Sequence, residues 1–303
     1  MQPSPIRWVG GKSRLRKKII DLFPPHTRYC EPFAGGAWVF FGKARVAEEV
    51  LGDIDPNLIN FYRVVRDRPE EFIHAFEWTL VARAEFERLR DLDPATLDDV
   101  ERAYRFFYLL MAGWGGELGY PRFQVSMGDV AGGGNRLLGA IKHLRSRILP
   151  AHERLQGVTL ENIDWREFFD SYDEPGTVIY CDPPYSANSV HYQYNMRELA
   201  EHEALAARLA RARCRWMLSA YDTPETRALY PDRFIAPVEF TSGMESGKRS
   251  GRHLANREVL VTNFWPKNAL DGLGQALAAF GKAGSVMDDE AESLATHAEE
   301  AHA

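Results

Sequence analysis

The stretch Val178-Ile179-Tyr180-Cys181-Asp182-Pro183-Pro184-Tyr185 decides how the rest of the chain is read. Four apolar residues in a row predict a strand buried on both faces, as in a parallel sheet covered by helices. The run ends at a carboxylate and two prolines. In an open α/β sheet, ligands bind beyond the carboxyl ends of the strands. Proline fixes φ and removes a donor, so the backbone after Asp182 is stiff and the Pro183 carbonyl is free to accept. Asp182 and that carbonyl would face one amine as a pair of acceptors, with the ring of Tyr185 beside them.

Outward from this stretch, further strand candidates lie at 27–32, 49–53, 158–162, 215–220, 235–240 and 259–264. Helical spacing occupies 12–22, 37–47, 56–65 and 198–212. Strands separated by helices predict an α/β domain with a mostly parallel sheet. Residues 67–113 are rich in Glu, Arg, Leu and Phe at helical spacing, without a strong strand signal. Eight glycines between 113 and 135 predict a loop or hairpin. A helix over 137–149 is expected to stop at Pro150. The chain therefore divides into one α/β domain (1–66 and 151–266), a helical insertion (67–150) and an acidic tail (267–303) expected to be largely disordered.

Composition excludes more than it selects. With 303 residues, 45% apolar and 26% charged, the chain has the make-up of a globular protein. No apolar run approaches a membrane span and residues 1–7 lack a signal core, so a cytoplasmic location is expected. Cys30, Cys181 and Cys214 are odd in number and widely spaced, which argues against disulfides and a zinc site. The net charge of −6 argues at first against a nucleic-acid partner. The tail holds −5 of it, so the body is nearly neutral and can still present a basic cleft.

Two further constellations carry chemistry. Glu31-Pro32-Phe33-Ala34-Gly35-Gly36 follows a strand candidate, and glycines there let backbone approach a cofactor closely. The spacing is not that of a dinucleotide fingerprint. Gly10-Gly11-Lys12-Ser13 lacks the upstream glycine and strand of a phosphate-binding loop. Asp53, ending the second strand about 20 residues after the glycine turn, has the position of a ribose-hydroxyl ligand. Asp55 reads as a helix cap. The acceptor pair and ring at 182–185 suit an amino group on a planar base. Holding both N–H bonds localises the nitrogen lone pair for attack on a methyl sulfonium, and the ring stacks on a base that has left the duplex.

Together these residues resemble the Dam-like family of N6-adenine DNA methyltransferases, over about residues 5–266. Arg7-Trp8-Val9-Gly10-Gly11-Lys12 looks like the family's N-terminal cofactor motif, Glu31 to Gly36 its glycine motif, Asp53-Ile54 its ribose motif, and Asp182 to Tyr185 its catalytic motif. Leu218-Ser219 and the run from Glu258 to Asn263 are similar to its later strands. The resemblance implies a seven-stranded Rossmann-like methyltransferase sheet with a helical target-recognition insertion. It also implies S-adenosylmethionine as methyl donor and double-stranded DNA as partner. Under it, Lys12 would pair with the methionine carboxylate, Trp8 would pack on the cofactor, and Phe33 and Gly35 would shape the turn. Asp53 would take the ribose, and Asp164, in Asn162-Ile163-Asp164-Trp165, would meet the adenine ring of the cofactor. Trp165 stands where the family has Phe, with core packing as its other reading. Asp182, Pro183 and Tyr185 would be catalytic.

The insertion departs from the family pattern. Gly113-Trp114-Gly115-Gly116 stands for an aromatic-Asn-Gly turn, and the hairpin through Arg122 and Phe123 is shortened. Arg122 is the candidate for a base-edge contact, with a phosphate contact as the alternative. The basic run 247–253 offers Lys248 and Arg249 to DNA phosphates. An RNA base, N4 of cytosine, or a non-catalytic nucleic-acid-binding role on the same fold stay open as alternatives. So do a cognate restriction enzyme as partner and the oligomeric state.

Overall fold

The computed structural model describes residues 1–113, 121–123, 136–185, 196, 198–238 and 258–265. In chain order, α1 (Arg16–Asp21) leads into β1 (Arg28–Glu31), α2 (Trp38–Gly42), β2 (Glu48–Gly52) and α3 (Pro56–Asp67). Helices α4 (Pro69–His74), α5 (Arg83–Asp91), α6 (Asp99–Ala112), α7 (Arg136–Lys142) and α8 (Leu144–Leu155) follow. The chain then alternates through β3 (Thr159–Glu161), α9 (Trp165–Tyr172), β4 (Thr177–Cys181), α10 (Leu199–Ala210), β5 (Arg215–Tyr221) and α11 (Pro224–Leu229). It closes with β6 (Phe234–Val238) and β7 (Glu258–Thr262).

The seven strands form one sheet in the order β3-β2-β1-β4-β5-β7-β6. All pairings are parallel except those of β7, which runs antiparallel to both β5 and β6. The expectation of a mostly parallel, seven-stranded sheet is met. β4 is buried at all five positions, as its apolar run requires. Its residues alternate between two cores: Val178 and Tyr180 face one, Ile179 and Cys181 the other. Tyr29 and Cys30 of β1 divide the same way.

After β1 the chain builds outward through β2 and β3, then returns to place β4 on the other side of β1. The order therefore reverses between β1 and β4, and a crevice opens at their carboxyl ends. Glu31 closes β1, and Asp182 follows β4 directly. The two sharpest motifs of the sequence meet at this switch point because the topology brings their strands side by side.

The helices of 67–150 do not build a separate core. Phe72 and Phe107 contact Phe61 of α3, with ring centroids 5.6 and 6.1 Å away. The same cluster runs on to Phe40 and Tyr180. Pro150 does not end its helix: it sits inside α8, exposed, while Ile148, Ala151 and Leu155 bury the helix's other face. Proline costs α8 one backbone hydrogen bond, and the apolar stripe carries the helix through. The break falls instead at His143, between α7 and α8. The expected border at 150/151 thus lies within a helix. Arg154 of that helix joins Lys43 in a buried ion cluster on Glu49 of β2. Helices α9 and α11 were not expected, and 37–47 yields only the five residues of α2. Among the described residues no helix is long and apolar enough to cross a membrane.

Candidate active site

The site forms in a cleft of about 520 Å³ at the switch point. Its walls come from the N-terminal segment (Trp8, Lys12), the turn after β1 (Phe33, Gly35), the end of β2 (Asp53), the start of α9 (Asp164, Trp165) and 182–185. All nine cofactor and catalytic candidates from the sequence line this one space. That volume lies within the range of small-molecule and cofactor sites.

The turn after β1 is built to be thin. Gly35 has φ +45°, a left-handed backbone, and a Cβ there would stand 2.7 Å from Trp8 Nε1. The indole of Trp8 thus lies on the turn itself, and its far side reaches Phe106 of α6 at 6.3 Å. Gly35 N–H donates to Asp53 Oδ2 at 3.0 Å, and the Tyr62 hydroxyl donates to the Gly35 carbonyl at 2.7 Å. Asp53 also accepts from Asp55 N–H on Oδ1 at 3.0 Å. Burial pushes the Asp53 carboxyl up to about 7, against the pull of those two backbone donors. Asp53 therefore ties the glycine turn to the end of β2 before any ligand is considered. Asp55 is the N-cap of α3, accepting from Asn57 N–H at 2.8 Å, as its sequence position suggested.

Asp164 caps α9 through Arg166 N–H at 2.9 Å and meets the Arg166 guanidinium at 3.2 Å. Trp165 is 6% exposed and belongs to the second core, so packing accounts for most of it while one edge lines the cleft. Phe33 packs against the same core.

Asp182 holds the centre. Lys12 Nζ donates to both of its oxygens, at 2.7 and 2.9 Å, and to the Gly10 carbonyl at 2.9 Å. The Tyr185 hydroxyl donates to Asp182 Oδ1 at 3.2 Å, and its ring meets Tyr221 edge-on at 4.5 Å. The resemblance implies a cofactor carboxylate as a partner of Lys12; in this structure its three N–H bonds serve Asp182 and Gly10. The reason is local: Lys12 is buried, and a buried ammonium takes the nearest anion and carbonyl.

Two features of the site were missed in the sequence. Glu258, first residue of β7, is buried, with Oε2 3.9 Å from Lys12 Nζ. Its signal was a lone carboxylate opening an otherwise apolar strand. Tyr180 lines the cleft, and its hydroxyl meets Ser219 Oγ at 2.7 Å. Of the DNA candidates, Arg122 is exposed beside an isolated antiparallel bridge between Gly113 and Phe123; most of the expected hairpin lies outside the described residues. Lys248, Arg249 and the 267–303 tail lie outside the described residues. All three thiols are buried, and burial pushes each pKa up, which suits no cysteine nucleophile.

A seven-stranded sheet with one antiparallel strand and an acid-Pro-Pro-aromatic turn at its switch point defines a Rossmann-like methyltransferase. Residues 8–244 match the family described as D12 class N6 adenine-specific DNA methyltransferase. The chain belongs to that family, and it is an adenine-specific DNA methyltransferase. It is 30% identical to a DNA adenine methylase of Vibrio cholerae, over 74% of this chain and 83% of that protein. A DNA adenine methylase of Haemophilus influenzae is 28% identical over 74% and 82%. The type II methyltransferase M.CviBI of Paramecium bursaria Chlorella virus NC1A is 26% identical over 86% and 98%.

Proposed function

We propose that the cleft binds S-adenosylmethionine and receives an adenine flipped out of DNA, with Asp182 and the Pro183 carbonyl holding its N6 amine. The observation that carries this reading is the convergence of Asp182 with the Gly35 turn and Asp53 in one cleft. S-adenosylmethionine, when bound, supplies an electrophilic methyl on a sulfonium. The residues fit it. Gly35 has no Cβ, so the Trp8 indole can lie on the turn as a wall of the cleft, and Asp53 keeps acceptor capacity beyond its backbone donors. Phe33, Trp8, Asp164 and Trp165 would bound the cofactor.

Asp182 and the Pro183 carbonyl accept the two amine hydrogens, so the nitrogen lone pair turns out of conjugation toward the methyl. The ring of Tyr185 stacks on the base. The helical stretch 67–150 and Arg122 would read the DNA, and Lys248 and Arg249 would meet its phosphates. The test is methyl transfer from labelled S-adenosylmethionine to unmethylated duplex DNA, followed by nucleoside analysis. Labelled N6-methyladenine that falls at least a thousandfold in Asp182→Ala is expected. Label in another nucleoside, or an undiminished variant, would overturn the assignment.

A further inference from the structure

We propose that Glu258 is a positioning residue for the transfer: it takes the Lys12 ammonium when the target amine takes Asp182. The proposal rests on the reading that Asp182 holds that amine. An ammonium has three hydrogens, and all three of Lys12's are committed, two of them to Asp182. Tyr185 adds a third donor on Asp182, at Oδ1. With three of about four acceptor sites taken, release of the ammonium frees Asp182 to hold an incoming amine. Glu258 Oε2 waits 3.9 Å from the same nitrogen, buried, with no hydrogen-bond partner among the described residues. An orphaned buried oxygen is costly, and closing about 1 Å gives it a charge-assisted bond. Lys12 therefore stands between two carboxylates, bonded to one and within a short swing of the other.

The groups facing Glu258 are Lys12 from the N-terminal segment, Tyr180 from β4, and Asp182 and Tyr185 from the turn after it. Tyr221 of β5 and Val238 of β6 stand opposite it in the sheet. Burial raises the Glu258 carboxyl to about 7, with Lys12 opposing and Asp182 reinforcing the rise. Ionised, Glu258 competes for Lys12; protonated, it leaves Lys12 on Asp182.

The test is single-turnover methylation of duplex DNA between pH 6 and 8.5, for wild type, Glu258→Gln, Glu258→Asp and Asp182→Ala. S-adenosylmethionine affinity is measured alongside. The wild-type rate is expected to rise through about pH 7. Glu258→Gln should lose that rise and run at least tenfold slower at pH 8, with cofactor affinity changed less than threefold. Glu258→Asp should recover part of the rate and the pH dependence. A Glu258→Gln rate within twofold of wild type, with the same pH profile, overturns the proposal. Should that variant fail to fold, a wild-type rate that is flat across pH 7 overturns it equally. An inactive Asp182→Ala beside a normal Glu258→Gln sinks this inference alone, whereas an active Asp182→Ala sinks the reading beneath it.

Discussion

Replacing Gly35 by alanine separates backbone strain from steric support of the cofactor cradle. Gly35 sits at φ +45°, where an L side chain costs about 1–2 kcal/mol. The new Cβ would also stand 2.7 Å from Trp8 Nε1 and 3.0 Å from Trp8 Cδ1. The indole cannot retreat freely, since Phe106 lies behind it. Overpacking of this kind costs about 1–3 kcal/mol. Gly35→Ala is therefore expected to lose about 2–5 kcal/mol of stability, the sum of the two. Ala37 supplies the internal control. It has φ 46°, the same left-handed region, yet carries a Cβ. Ala37→Gly relieves the strain but frees the unfolded chain and removes a buried methyl, so it should lie within about 1 kcal/mol of wild type. Denaturant melts measure both, and titration with S-adenosylmethionine should show Gly35→Ala weakened at least tenfold as Trp8 is displaced. A Gly35→Ala cost no larger than the Ala37→Gly change, with cofactor affinity intact, would refute the placement of Trp8 on the turn.

Glu49 faces two buried cations, Lys43 at 2.7 Å and Arg154, whose Nη2 is 2.8 Å away. Burial acts to raise its pKa, but the hydrogen bonds from Arg154 and Lys43 outweigh it and hold the carboxyl low. Glu49→Ala leaves both cations uncompensated and should cost about 3–5 kcal/mol in a urea melt. Glu31, Asp53 and Glu258 behave in the opposite sense: burial raises them to about 8, 7 and 7. Each binds its proton more tightly folded than unfolded, so its contribution is full below about pH 4 and is lost as pH rises to about 8. Thermal melts at fixed ionic strength should show Glu258→Gln gaining on wild type between pH 5.5 and 8; a constant difference would contradict the raised carboxyl.

Much of the fold was legible because its signals are local. The run 178–181 reads as a doubly buried strand from four side chains, and the proline pair after Asp182 marks its end. Both motifs at the switch point are legible in the sequence, whereas their adjacency follows only from the strand order. The misreadings are those in which tertiary packing overrides a local rule. Pro150 should have stopped a helix, but Ile148, Ala151 and Leu155 are all buried against the core and hold it together. Trp165 reads from sequence as either an aromatic contact or core packing, and Phe168 and Phe169 beyond it anchor a helix on the sheet. Glu258 was invisible as a site residue because it lies 76 positions beyond Asp182 and joins it only through the order of the strands.

The charge of the cleft follows from the same principle. By formal count it is acidic: Glu31, Asp53, Asp55, Asp164, Asp182 and Glu201 line it against Lys12 and Arg166. Such a field would repel a polyanion. Burial answers part of the conflict: it raises Glu31 to about 8 and Asp53 to about 7, which removes charge that the sequence counts as fixed, and it pushes Asp55 in the same direction. Within that count Lys12 offsets Asp182 locally. What remains is a cleft less acidic than its formal count, which still offers little to a phosphate. Attraction for the DNA backbone must then come from cations outside the cleft, and the exposed Arg122 is a candidate for that role.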